Sequence, residues 1–171
     1  GVGNVGSKLI NYLLEENANI YVTDINKKNF DKIKDRKVSY IETNEIYDNY
    51  YDVISPCALG GTINSSSIKE IKCDIIAGAA NNQLADDDEI PLELNKKNIL
   101  YIPDFLINAG GIISVYHEQI NEIDSKKVMD MTGLIYDKVS SVINYARDNN
   151  ISTAASAIEL AKKRIKENSK K

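Results

Sequence analysis

Side chains that hold metal ions are scarce in this chain: 171 residues include one histidine, His117, and two cysteines, Cys57 and Cys73. With no CxxC pair and no second imidazole, a zinc centre or a dithiol redox couple has no material to be built from, and no metal is expected. The acidic run Asp86 to Glu89 does not change this, because consecutive side chains splay around the backbone; it reads as acids ahead of a helix N-terminus. Basic charge is short as well. A net charge of −4 and an isoelectric point near 5.1 give nucleic acid and anionic membranes no basic surface to bind. No apolar run approaches the length of a spanning helix, and no signal peptide is visible, so a cytoplasmic protein with reduced thiols is expected. Neither an internal repeat nor a low-complexity linker marks a boundary, and 43% hydrophobic residues suffice for one buried core. His117 reads as a packed histidine, Cys57 as an unactivated thiol, and the ten tyrosines as half-buried packing.

What is present begins at residue 1. GVGNVG, spanning Gly1, Val2, Gly3, Asn4, Val5 and Gly6, is followed eighteen residues after Gly6 by Asp24, which ends the apolar run NANIYVTDI. This pairing predicts a dinucleotide site. Gly1 permits a tight turn, Gly3 lets the backbone approach a pyrophosphate, and Gly6 lets the next helix pack closely, while that helix offers unpaired N–H donors to the anion. Asp24 would accept hydrogen bonds from ribose hydroxyls and so select NAD over NADP, whose 2′-phosphate would meet an uncompensated negative charge. Lys27 and Lys28 lie close enough to soften that selection.

Periodicity alternates between the helical and the extended spacing, which predicts an α/β protein with a Rossmann-like, doubly wound, mostly parallel sheet. A helix is expected from Asn4 to Glu16 with Val5, Leu9 and Leu13, and Ile10 and Leu14, as its apolar stripe. Strands are expected at Ile20–Ile25, Val38–Ile41, Asp52–Cys57, 73–80 and 99–105. Helices are expected at Asn26–Lys34, at Asn64–Lys72 with Ser67 and Glu70 as a capping box, and at Asp88–Lys97. After Phe105 only helix follows, including one long helix striped by Met131, Ile135, Val139, Val142 and Ala146, and a last one from Ser152 with Ala157, Ala161 and Ile165 on one face. The tail KKRIKENSKK reads as a charged, solvated end. A strand should precede the glycines to aim them, and none is present; the chain is expected to be a single dinucleotide-binding domain, a fragment whose first strand is missing.

Three more segments narrow the expectation: SPCALGGTIN (55–64), CDIIAGAANNQLAD (73–86) and YIPDFLINAGG (101–111), in that order behind GVGNVG and VTDIN. Together these motifs resemble the C-terminal, NAD-binding part of the glutamate/leucine/phenylalanine/valine dehydrogenase family, most closely its leucine and phenylalanine members. The resemblance covers nearly the whole chain. It implies that Cys57 and Ala58 border the adenosine half of NAD, that Ala79, Ala80 and Asn81 approach the nicotinamide ribose, and that Asn108 faces nicotinamide and substrate. It further implies oxidation of an L-amino acid, a branched-chain one first, by hydride transfer to NAD, giving ammonia and a 2-oxo acid. A homo-oligomeric parent is implied too. The family's catalytic lysine belongs to an N-terminal domain, so no residue of this chain is assigned general acid or base work. Where the leucine enzymes are expected to place larger side chains at the substrate pocket, this chain has Ala154 and Ala155, which leaves room for a larger substrate. Phenylalanine or glutamate dehydrogenase, other Rossmann dehydrogenases and a non-catalytic NAD-binding module remain the alternatives.

Overall fold

A computed structural model describes residues 1–34, 36–121 and 124–169. Five strands pair in parallel within two blocks. Strand β1 (Ile20–Val22) lies beside β2 (Val38–Tyr40) with Ile20 opposite Val38, and β3 (Tyr51–Ile54) pairs with β4 (Cys73–Ile76), which pairs with β5 (Leu100–Tyr101). No ladder joins β1 to β3 among the described residues; the Tyr21 and Tyr51 rings, 5.8 Å apart, face each other across that parting. The hydrophobic core divides at the same place. One cluster holds Val2, Ile10, Val22 and Ile33, and the other is built on Ile63, Ile71, Ile76, Leu94 and Tyr101.

Helix α1 (Asn4–Glu15) precedes β1; α2 (Lys28–Asp31), α3 (Ser67–Glu70) and α4 (Glu89–Lys96) follow β1, β3 and β4, and after β5 helices come in unbroken succession: α5 (Asp104–Ile107), α6 (Gly110–Gln119), α7 (Ser125–Gly133), α8 (Ile135–Asn149) and α9 (Thr153–Asn168). Asparagine ends several of them. Asn17, Asn98, Asn121 and Asn150 take φ between 53° and 57° at the C-terminal ends of α1, α4, α6 and α8, the left-handed position that glycine usually fills and asparagine tolerates.

Several expectations need correction. The stripe of α1 centres on Gly6, Ile10 and Leu14, leaving Val5 exposed, because Gly6 is the residue pressed inward against Gly1. The polar segment 26–34 makes only one helical turn, since it has no apolar face long enough to dock more. The expected capping box fails: Asn64 Oδ1 accepts from the amides of Ser66 and Ser67, while the Ser67 hydroxyl donates to the Thr62 carbonyl. Strands are shorter than their apolar runs, as residues 77–80 and 102–105 leave the sheet to form loops and α5. The long helix breaks at Leu134, so Met131 sits on α7 and only Ile135 to Ala146 share the inner face of α8. On α9 only the first turns bury the stripe, through Ser156 and Ala157; Ile165 is exposed. The last two residues of the charged tail lie outside the described residues.

Candidate functional site

The glycine loop is held by contacts that leave no room for side chains at two of its three glycines. A Cβ on Gly1 would come within 2.8 Å of the Ala58 Cβ, and one on Gly6 within 2.2 Å of the Gly1 carbonyl oxygen. Gly3 differs. Nothing lies within 4 Å of where its Cβ would be, so the backbone there faces open space. Gly3 is also the N-cap of α1; it offers no capping oxygen, and the first turn of α1 carries no acid. The helix end therefore presents its N–H donors with no acid or capping side chain of its own, the arrangement that suits a phosphate.

Asp24 lies against this loop, beyond the end of β1. Its Oδ2 accepts from the Val2 amide at 2.7 Å and from Asn29 Nδ2 at 3.2 Å, and its Oδ1 accepts from the Asn26 amide at 2.8 Å. Each carboxylate oxygen has two lone pairs, so Oδ2 is fully used and Oδ1 keeps one acceptor position for a hydroxyl. Burial pushes this carboxyl up, but the Val2, Asn26 and Asn29 hydrogen bonds outweigh it and hold the group below the ordinary carboxylate value. Asp24 is thus an anion with one free acceptor position.

The remaining expected residues come from the carboxyl ends of β3, β4 and β5, the edge at which parallel sheets bind ligands. A Cβ on Gly6 would also lie 3.4 Å from the Cys57 Cβ, and the Ala80 amide donates to the Pro56 carbonyl at 2.9 Å, so the loops after β3 and β4 abut each other. Asn108 Nδ2 donates to Asn81 Oδ1 at 2.6 Å, which ties the end of α5 to the loop after β4. Asn108 Nδ2 also lies 3.5 Å from the Ala80 carbonyl, a second acceptor on the same loop. Beside it opens a cleft of about 580 Å³, lined by Asn81, Asp104, Phe105, Asn108, Gly111 and Ile112 among others. Ala79 sits in the same loop, half-buried. Ala154 and Ala155 are not among the residues lining this cleft. They stand half-buried in the first turn of α9, which docks on β5 and α8 and is anchored by the Thr153 hydroxyl donating to the Tyr101 carbonyl.

Two residues that the sequence reading passed over hold the cleft together. Gln83 is fully buried; its Nε2 donates to the carbonyls of Gly78 at 2.7 Å and Ala80 at 3.0 Å, pinning the loop that carries Ala79 to Asn81. Asp104, 8% exposed, accepts the Gln83 amide through Oδ2 and the Phe105 amide through Oδ1, which joins that loop to α5. Asp104 showed only as a polar side chain inside the apolar stretch YIPDFLI, and Gln83, which follows Asn81 and Asn82, had no signal of its own.

His117, Cys73 and the acidic run from Asp86 stay outside this arrangement. His117 is buried on α6 with Nε2 at 3.0 Å from Met131 Sδ. Cys73 lies in β4, its thiol pushed up to about 11 by burial and by Asp74, and is correspondingly inert. Cys57 is half-buried with Sγ 3.7 Å from the Ser55 hydroxyl. Asp86 caps α4, accepting the Asp88 and Glu89 amides on Oδ1. No helix among the described residues is long and apolar enough to cross a membrane.

Comparison with known proteins gives the family. The profile of the Glutamate/Leucine/Phenylalanine/Valine dehydrogenase family matches residues 22–171. The chain is 40% identical over 166 residues to L-tryptophan dehydrogenase of Nostoc punctiforme, covering 96% of this chain and 47% of that protein. The crystal structure of that dehydrogenase superposes with a TM-score of 0.93 at 38% identity, over 98% of this chain and 51% of the other. Leucine dehydrogenase of Thermoactinomyces intermedius is 38% identical over 166 residues, covering 96% and 45% of the two chains. Phenylalanine dehydrogenase of Bacillus thermotolerans is 38% identical over 177 residues, covering 100% and 46%. The chain thus spans about half the length of the curated relatives it matches.

Proposed function

Because this chain belongs to the glutamate/leucine/phenylalanine/valine dehydrogenase family, whose members are NAD-dependent dehydrogenases, we propose that it is the NAD-binding domain of an L-amino-acid dehydrogenase. The observation that carries this reading is the Val2 to Asp24 hydrogen bond, which sets an ionised acceptor against a bare helix N-terminus. Pyrophosphate would lie over Gly3 and the start of α1, with a ribose hydroxyl on the remaining acceptor position of Asp24 Oδ1. Cys57 and Ala58 would flank the adenosine half, and Ala79, Ala80 and Asn81 would lead towards the nicotinamide. The cofactor supplies the hydride acceptor. Asn108, locked to Asn81, would orient the reacting end of cofactor and substrate at the cleft.

The general acid and base would come from the part of the parent protein outside residues 1–171, and a strand preceding Gly1 would fill the parting between β1 and β3. The substrate reading is an apolar L-amino acid. Branched side chains are the first choice from the sequence motifs, and the named relatives, which act on leucine, phenylalanine and tryptophan by their names, support widening it to aromatic ones. A homo-oligomeric parent is part of the same proposal.

Initial rates of the full-length parent with NAD and a panel of leucine, isoleucine, valine, phenylalanine, tryptophan and glutamate test this. Turnover of apolar amino acids with little of glutamate is expected. Preference for glutamate would overturn the substrate class, and NAD binding without any turnover would make the protein a nucleotide-binding module.

A further inference from the structure

One of the two lysines that the sequence offers as partners for a 2′-phosphate is occupied. Lys27 follows Asp24 by three residues in the loop beyond β1, where a cationic side chain would offset the repulsion that Asp24 exerts on that phosphate. Its Nζ instead donates to Glu42 Oε1 at 2.6 Å and lies 5.9 Å from the centre of the Tyr40 ring. Glu42 is placed there by the sheet. The Ile41 amide donates to the Val22 carbonyl, which brings the residues just beyond β2 alongside those just beyond β1, at the same carboxyl edge as Asp24. The hydrogen bond and the negative charge of Glu42 also hold the Lys27 ammonium more firmly protonated than an ordinary lysine. Elsewhere in this loop the Lys28 backbone amide is engaged by Asn26 Oδ1, and the Arg36 guanidinium donates to the Ser7 carbonyl on α1.

We propose that Glu42 is a second determinant of cofactor choice: it draws the Lys27 ammonium away from the 2′ position of the adenosine ribose and adds a negative charge of its own there. The inference rests on the reading that Asp24 takes that ribose. Asp24 repels the 2′-phosphate directly, and Glu42 removes one of the two lysines, Lys27 and Lys28, that could compensate it. Both side chains of the pair are exposed, at 68% for Lys27 and 45% for Glu42, so the pair contributes little to folding and can be broken without unfolding the domain. Its effect falls on the ligand.

The test uses the full-length parent and two soluble probes, AMP and 2′,5′-ADP, measured by titration calorimetry at low and at high salt. Glu42→Gln is expected to tighten 2′,5′-ADP about two- to five-fold at low salt, the scale of one exposed charge contact, with the gain fading as salt rises. AMP affinity should not change. Lys27→Met added to Glu42→Gln should reduce the gain, since the freed ammonium would supply part of it and the lost Glu42 charge the rest; an undiminished gain overturns the part assigned to Lys27. Unchanged 2′,5′-ADP affinity in Glu42→Gln, or an equal gain for AMP, overturns the role of Glu42 while the Asp24 reading stands. Failure of the unaltered protein to bind AMP at all overturns that reading and this inference with it.

Discussion

Gly3 and Gly6 are three residues apart and do different work. Gly6 is a packing glycine: the nearest atom to an added methyl would be the Gly1 carbonyl oxygen at 2.2 Å, which is backbone and cannot step aside. Gly6→Ala should therefore destabilise by roughly 1–3 kcal/mol, read as a lowered Tm of the parent protein. Gly3→Ala meets open space, so Tm should stay nearly unchanged while NAD affinity falls. Equal losses of Tm in both would contradict the division of labour. Asp24 adds a pH dependence. Its carboxyl is held below its ordinary value of 3.8, so its contribution to stability is fully present above that value and is lost as pH falls through the lowered one. Removing it with Asp24→Asn should flatten the acid limb of a Tm against pH profile below about pH 4 and leave the shape near neutrality unchanged. The same variant should narrow the gap between NAD and NADP in kcat/KM.

At the scale of elements, the loops matter more than the strands they end. Gln83 ties its loop to itself, and replacing it with leucine would leave the Gly78 and Ala80 carbonyls without their donor in a buried site, at a cost of about 1–3 kcal/mol. The Asn81 to Asn108 contact should loosen with it. Gln83→Leu is therefore expected to lower both Tm and kcat. Loss of stability with full kcat in Gln83→Leu would reduce it to a packing residue. These loops also mark the limit of what the sequence disclosed. Apolar periodicity located β1 to β5 and the inner face of α8, because burial on one side leaves a regular trace. The glycines and Asp24 were legible from their spacing. Gln83 and Asp104 were not, since one buried amide and one carboxylate have no period, and their partners are backbone atoms that carry no residue identity. The capping of α3 was misplaced for a related reason: Asn64 and Ser67 both offer an oxygen at a helix start, and only the turn geometry selects between them.

At the scale of the whole molecule, the parting between β1 and β3 dominates. Among the described residues, ladder groups facing that parting lack strand partners, and the two apolar clusters are each smaller than a single continuous core. A chain extended upstream of Gly1 by its native sequence should therefore unfold at a higher temperature, and more cooperatively, than residues 1–171 alone; an unchanged broad transition would argue against a strand in that position. The divided core also sets how the protein would breathe. Amide protons in Ile20–Val22 and Val38–Tyr40 belong to one cluster, and those in Tyr51–Ile54, Cys73–Ile76 and Leu100–Tyr101 to the other, so deuterium should enter residues 1–171 in two waves. A dinucleotide lying from Asp24 to Asn108 would bridge the two halves like a stitch, and its binding should merge those waves into one.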